Sequence, residues 1–497
     1  MFSTRIRFAA AAAALLIIHG CAVSPVMVSP EETYRIAAAK TVLVETSDGR
    51  QTVLKGASYN DNKIKGINPA GAPWEADVSR IRAVFVEDKN NLGFLPVLGC
   101  VAGATAWLVI GAATAPSPPP APSCPFIYTF DGANYVFEAE PYGAAICRAL
   151  QRAEWIGLDR LRPAEGRYRL RLANELEETE HVDEIKLAVA DLAPGHRAVP
   201  DAAGRFHDIA ALVPPTTARD EDGHDLREAL SRTDGIFWEP AYETSPGLRN
   251  EIVLEFPKPA GARTVKLVAN AWTTLWGSQV AEHILELRGS EADAWLAQVD
   301  RMGPEYRDLM NWFATTELYL LKLDVETAAG WKSRGTIFGG GPFMAKDKAY
   351  VLDIGDVTGD VLRVRLRPPT GFWKFDSLSV DYSEDVPVTV VEEAPQRALD
   401  ERGTDVRSLL AAGDRNYWIV PEGGHFADLE FAVPPQAPGT ERSIVLKASG
   451  YYTIRLNGTG QPRREILARI LARPDGTLEF ARHLYETEKA AGGRVGR

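Results

Sequence analysis

"GRYRLRLANELEETEHVDEIKLAVADL" (residues 166–192) decides how this chain is read. Its first part sets Tyr168, Leu170 and Leu172 at every second position with arginines between them, and its second part repeats the spacing with Ile185, Leu187 and Val189. A period of two marks a strand with one buried face, because successive side chains leave opposite sides of the pleat. The rhythm continues outward in both directions. "FIYTFDGANYVFEAEPYG" (126–143) reads as two strands across an Asp131-Gly132 turn. "NEIVLEFPKP" (250–259), "RTVKLVANAW" (263–272), "LRVRLR" (362–367), "HFADLEFAVP" (425–434) and "RSIVLKASGYYTIRL" (442–456) carry it on. Helical spacing interrupts it at "SEADAWLAQVDRMGPEYRDLMNWF" (290–313), where Ser290 is placed to cap a helix ahead of Glu291 and Asp293. A second short helix is expected around "REILARILA" (464–472). The expected fold is mainly β. A β-sandwich or jelly-roll region fills residues 124–385, with a helical insertion at about 290–313, and a C-terminal β-rich domain follows at 386–489.

A smaller β-unit is expected at residues 33–91. "KTVLVETSDGRQTVLKGASYNDNKIKGI" (40–67) alternates around turn signals, and "WEADVSRIRAVFVED" (74–88) adds a strand with Ile81, Ala83 and Phe85 on one face. Short strands with tight turns predict a small SH3-like or Sm-like barrel. Leu92 to Ala115 then runs without a charged side chain and contains the pair Gly99 and Gly103, a spacing that lets helices approach closely. It is long enough to cross a hydrocarbon core as a helix, or to pack against a protein partner. Residues 116–123 are proline-rich and read as an extended linker.

The chain opens with Arg5 and Arg7, the apolar run "FAAAAAALLII" (8–18), then His19, Gly20 and Cys21. This resembles a bacterial lipoprotein signal, with Ile18-His19-Gly20-Cys21 standing as the lipobox. The resemblance implies a signal peptide at 1–20, lipidation of Cys21 with palmitate-type chains, and a tether at 21–32. Ala22, in place of an aspartate, implies sorting to the outer membrane of a Gram-negative envelope. Two or more acyl chains give stable anchoring where one is marginal.

The net charge of −12 and the pI near 5.4 argue against a general nucleic-acid binder, which needs a basic surface to displace counterions. With Cys21 assigned to the anchor, Cys100, Cys124 and Cys147 remain. Cys124 and Cys147 flank one expected hairpin and are the natural disulfide pair, two buried free thiols being the alternative. No cysteine or histidine cluster has metal-ligand spacing.

"CPFIYTFDGANYVFEAEP", "LANELEETEHVDEIKLAVAD", "MAKDKAYVLDIGDV" and "SIVLKASGYY" resemble segments of uncharacterised bacterial β-rich exported proteins of lipoprotein type. In some of those proteins related segments accompany tetratricopeptide or β-propeller repeats. The resemblance covers roughly residues 124–455; it implies the fold and the exported setting, and carries over no activity and no functional residue.

Several stretches are candidates for chemistry. Asp220, Asp222 and Asp225 surround Gly223 as in part of a calcium loop, but no glutamate closes it, so a solvated acidic loop is expected. Asp353, Asp356 and Asp360 read as strand-turn-strand. "FGGGP" (338–342) lacks the Lys-Ser/Thr of a phosphate loop and reads as a tight turn. Phe372 and Trp373 would stack on sugar rings if exposed, and close the core if not; Trp272 and Trp276 pose the same choice. The histidines form no HExxH or HxH, and no serine sits in GxSxG. These readings lead to a non-catalytic cell-envelope lipoprotein without cofactor or metal. It would offer its β-domains to an envelope protein partner and hold to the membrane through Cys21 and, in one reading, residues 92–115. A carbohydrate-binding surface lipoprotein is the alternative, and a hydrolase with a spatially assembled site is the third.

Overall fold

The computed structural model describes residues 25–28, 41–46, 51–60, 63–68, 72–77, 81–87, 125–176, 178–242, 244–245, 247–456 and 459–490. These belong to two compact units, one before residue 116 and one from Ser117 to Ala491. The expected signal peptide, the 92–115 segment and the linker lie outside the described residues.

The first unit is a six-stranded antiparallel sheet of β1 (Pro25–Val28), β2 (Thr41–Thr46), β3 (Gln51–Asn60), β4 (Lys63–Ile67), β5 (Pro73–Asp77) and β6 (Ile81–Glu87). Their order is β1-β6-β2-β3-β4-β5. Val42, Val44, Leu54, Ile64 and Val84 are fully buried. The buried position in β6 is therefore one residue out of phase with the expected Ala83–Phe85 set. β1 lies in the stretch assigned to the tether, so the sheet begins before residue 33. Gly56 sits in the left-handed region where the β3–β4 register slips between Lys55 and Ser58, a bulge conformation that glycine adopts without penalty.

The second unit opens with β7 (Phe126–Phe130), β8 (Tyr135–Ala139), β9 (Arg152–Gly157), β10 (Arg167–Ala173) and β11 (Glu178–Leu192), then a hairpin of β12 (Arg197–Pro200) and β13 (Phe206–Ile209). It continues with β14 (Thr217–Asp220), α1 (Arg227–Leu230), β15 (Ile252–Pro257) and β16 (Thr264–Thr273). Three helices follow: α2 (Leu275–Glu286), α3 (Ala292–Val299) and α4 (Pro304–Thr316). Next come β17 (Leu320–Thr327), β18 (Gly330–Phe338), β19 (Asp347–Asp353), β20 (Val361–Leu366) and β21 (Trp373–Asp381). The last group is β22 (Val391–Glu393), β23 (Arg397–Asp400), α5 (Arg407–Leu410), β24 (Trp418–Val420), β25 (Phe426–Ala432), β26 (Glu441–Ile454), α6 (Arg464–Leu471) and α7 (Gly476–Ala490).

The mainly β expectation holds, with antiparallel pairing throughout the sheets. The strands of 386–489 do not form a domain of their own. β25 pairs with β10, and β26 pairs with β11 along fourteen register positions. Long-range ladders of this kind bury Leu170, Leu172, Ile185, Leu187, Leu429, Phe431 and Leu446 in one core, each burial contributing roughly 1.5–3 kcal/mol. The helical stretch also begins earlier than expected, at Leu275. Thr274, not Ser290, caps it, accepting from the Gly277 N–H at 3.1 Å.

The pairing pattern reveals a duplication. One module has sheets ordered β23-β25-β10-β7-β8 and β22-β11-β26-β9; the other has β14-β15-β20-β17-β18 and β19-β16-β21. β23, β25, β10, β7 and β8 correspond in order to β14, β15, β20, β17 and β18, while β9, β26 and β11 correspond to β19, β16 and β21. The match reaches single residues. Register slips skip Asp183 in β11 and Asp376 in β21. Asp183 then accepts the Arg415 N–H at 2.6 Å, and Asp376 accepts the Asp234 and Gly235 N–H groups at 3.2 Å. Trp238 bridges to Phe375, and Trp418 pairs with Val182. Along the chain, each copy is a first half (β7–β11, then β17–β21) followed by a second half (β14–β16, then β23–β26). Each module joins the first half of one copy to the second half of the other, so the copies have exchanged halves.

Candidate functional site

A large concavity lies where helices cover the end of the first module. It has a volume of about 580 Å³. β26 supplies the floor through Tyr452 and Ile454, beside Ala144 and Ile146. α2 forms one wall with Ser278, Ala281, Glu282 and Leu285, a set spaced at three and four residues that lies along one helix face. α4 forms the other with Leu309, Trp312, Phe313 and Thr316, and the turn between α6 and α7 closes the rim at Leu471–Pro474. These walls are held from outside the cavity. Trp312 donates its indole N–H to Thr477 at 2.8 Å, and Val299, Leu309 and Phe313 pack with Cys147. The hydroxyls of Thr315 and Thr316 fold back onto carbonyls of their own helix, which leaves mainly hydrocarbon facing inward.

Three charged side chains stand in this lining without an ion-pair partner among the described residues: Glu282 and Arg288, and Asp308, which is exposed. Burial, and then the charge of Glu286, push the Glu282 carboxyl up to about 7. Burial pulls Arg288 down to about 10, still cationic at neutral pH. Its guanidinium lies 3.7 Å from the ring centroid of Trp295, and its Nε is buried with no hydrogen-bond partner. Arg473 at the rim is engaged by Glu479. The lining contains no histidine. The sequence-based reading did not single out these residues. The signal was present in "LWGSQVAEHILELR" (275–288), whose apolar residues recur at helical spacing, but the preceding strand hid where the helix begins.

The expected sites fall elsewhere. Cys21 and Cys124 lie outside the described residues; Cys147 is a buried free cysteine whose thiol burial pushes up to about 12. Phe372 and Trp373 are both completely buried, so they are core residues and offer no sugar platform. Trp373 gives its indole N–H to the Glu317 carbonyl at 2.9 Å, which anchors the start of β21 to the end of α4. Trp276 is buried as well, while Trp272 is half-buried against the exposed Phe237.

Asp220 is consumed by the backbone N–H groups of Asp222 and His224, and Asp225 by Arg227. Asp400 makes the same turn with Arg402 and Thr404, which marks the loop as a repeated structural device. Asp356 is paired with Lys332 at 2.9 Å and Arg334 at 2.6 Å. The glycines of "FGGGP" permit a close approach of backbones: a Cβ on Gly143 would meet the Gly341 nitrogen at 2.4 Å. His196, His207, His224, His283 and His425 each face a carboxylate, and His181 stacks on Tyr451 with centroids 4.3 Å apart. Among the described residues no group of acidic, histidine or cysteine side chains is arranged to hold a metal ion. Burial and the neighbouring Glu178 keep the fully buried Glu180 protonated well above the ordinary carboxylate range.

No protein-family model matches the chain, and no curated protein matches it in sequence. The functional reading therefore rests on the residues themselves.

Proposed function

We propose that this chain is a non-catalytic envelope lipoprotein that binds an apolar small molecule in the cavity between α2, α4 and the α6–α7 turn. The cavity carries the reading. Its volume of about 580 Å³ falls in the range of small-molecule sites, and its lining is aromatic and aliphatic with a few placed polar groups. An apolar occupant would make dispersion contacts with this aliphatic and aromatic lining. The lipid anchor at Cys21 is supported by the apolar run that ends at that residue. The carbohydrate alternative leaned on Phe372 and Trp373, and their complete burial removes that support.

A solvatochromic apolar dye titrated into the purified full chain should bind saturably at one site, and Ala281→Trp, which fills the cavity from the α2 wall, should abolish that binding. Absence of a saturable site in the unsubstituted protein would refute the reading. The anchor has a separate test: mass spectrometry of the mature protein should find an acylated Cys21 at its N-terminus.

A further inference from the structure

Resting on that binding reading, we infer that the cavity takes a single-chain amphiphile whose anionic headgroup docks on Arg288. Three observations point there. Arg288 follows α2 directly and borders the cavity, yet no described carboxylate pairs with it. Of the two acids nearest in sequence, Glu286 faces His283 at 3.5 Å and Glu291 is held by Arg464 at 2.6 Å. The guanidinium is also fixed in place, lying flat enough on Trp295 to bring its carbon 3.7 Å from the ring centroid. A stacked arginine has little rotamer freedom left to lose, and its planar fork matches the two oxygens of a carboxylate or the oxygens of a phosphate. Finally, its Nε is buried and makes no hydrogen bond among the described residues, so the terminal nitrogens of the guanidinium are what a ligand oxygen would meet.

The remainder of the cavity suits a hydrocarbon chain. Leu285, Leu309, Phe313 and Ile454 contribute apolar lining. Glu282, six residues earlier, stands roughly 9 Å back along the helix axis. Burial raises this carboxyl to about 7, so near neutral pH it is only partly ionised and its repulsion toward an anionic ligand is weakened. Asp308, the other acid of the lining, is exposed at the rim.

The test uses the delipidated full chain and cis-parinaric acid, a fluorescent polyene fatty acid, as the reporter. Palmitate, dodecyl phosphate and methyl palmitate are then compared as competitors. Palmitate or dodecyl phosphate should displace the reporter at least ten-fold more effectively than the neutral ester, and their ranking identifies the headgroup as carboxylate or phosphate. Arg288→Met should bring the acids down to the level of the ester while leaving the ester unchanged, and Arg288→Lys should recover part of the preference. The preference in the unsubstituted protein is read without any variant, so a variant that fails to fold does not decide the matter. Equal displacement by acid and ester overturns the headgroup assignment but leaves the cavity as an apolar site. Failure of the reporter and of every neutral apolar dye to bind overturns the binding reading as well.

Discussion

Glu282→Gln should stabilise the protein at alkaline pH and leave it almost unchanged at acid pH. Glu282 stands half-buried in the α2 wall with no ion-pair partner among the described residues, and burial raises its carboxyl from an ordinary 4.5 to about 7. Below pH 4.5 the folded and unfolded chains both hold the proton, and the residue contributes no pH dependence. Between pH 4.5 and 7 the unfolded chain releases its proton first while the folded chain keeps it, so stability falls as pH rises through that window. Above pH 7 both forms are ionised and the full penalty stands. At 1.36 kcal/mol per pH unit the gap corresponds to about 3 kcal/mol. Solvent reaches part of this side chain and screens the charge, so about 1.5 kcal/mol is the working figure. Glutamine has the same shape and never ionises. The assay is urea unfolding of both proteins, delipidated, at pH 5 and pH 8. The variant should gain about 1.5 kcal/mol relative to the parent on passing from the first pH to the second. A stability difference that is the same at both pH values, or one that shrinks with rising pH, would refute the argument that desolvation governs this residue.

Gly341→Ala places a Cβ 2.1 Å from the carboxyl carbon of Glu140, a buried residue whose Oε2 accepts the Phe343 N–H at 2.9 Å. A loss of about 1–3 kcal/mol is expected by thermal unfolding, whereas Gly340→Ala, with open space around its Cβ, should change little. The equivalent bulge residues give a paired prediction. Asp183→Ala and Asp376→Ala should each cost about 1–3 kcal/mol by leaving loop N–H groups unpaired. Each should also speed hydrogen exchange locally, at the Arg415 amide in the first case and at Asp234 and Gly235 in the second.

The strand rhythm was readable because alternation is a local property. Tyr168, Leu170 and Leu172 all face the core, as do Ile185, Leu187 and Val189. The partner of a strand is not local, and nothing in "RYRLRLA" says that it pairs with a segment beginning at Phe426. The duplication, by contrast, is written in the sequence. Ala218, Asp220, Glu221, Gly223, Asp225, Arg227, Leu230, Asp234 and Trp238 reappear at a constant offset as Ala398, Asp400, Glu401, Gly403, Asp405, Arg407, Leu410, Asp414 and Trp418. The repeat at a constant offset carries the duplication in the sequence itself, and it marks Asp220 and Asp225 as turn residues of a repeated loop, in keeping with the acidic loop expected there. The cavity was harder to foresee. Its floor, walls and rim come from segments near residues 144, 280, 312, 452 and 472, and only the fold brings them together.

The exchange of halves dictates an order of assembly. The second module draws its paired strands from β14 to β21, one continuous stretch, and can close as soon as that stretch is made. The first module cannot. β10 acquires β7 at once, but its other edge stays open until Phe426–Ala432 arrives, and β11 waits still longer for Glu441–Ile454. A chain emerging from its N-terminus therefore carries unpaired, apolar strand edges across the whole interval in which the inner module forms. Such edges are templates for mispairing with other chains. The last hundred or so residues are thus no appendage: losing them would leave the first module half built, with its core open to water.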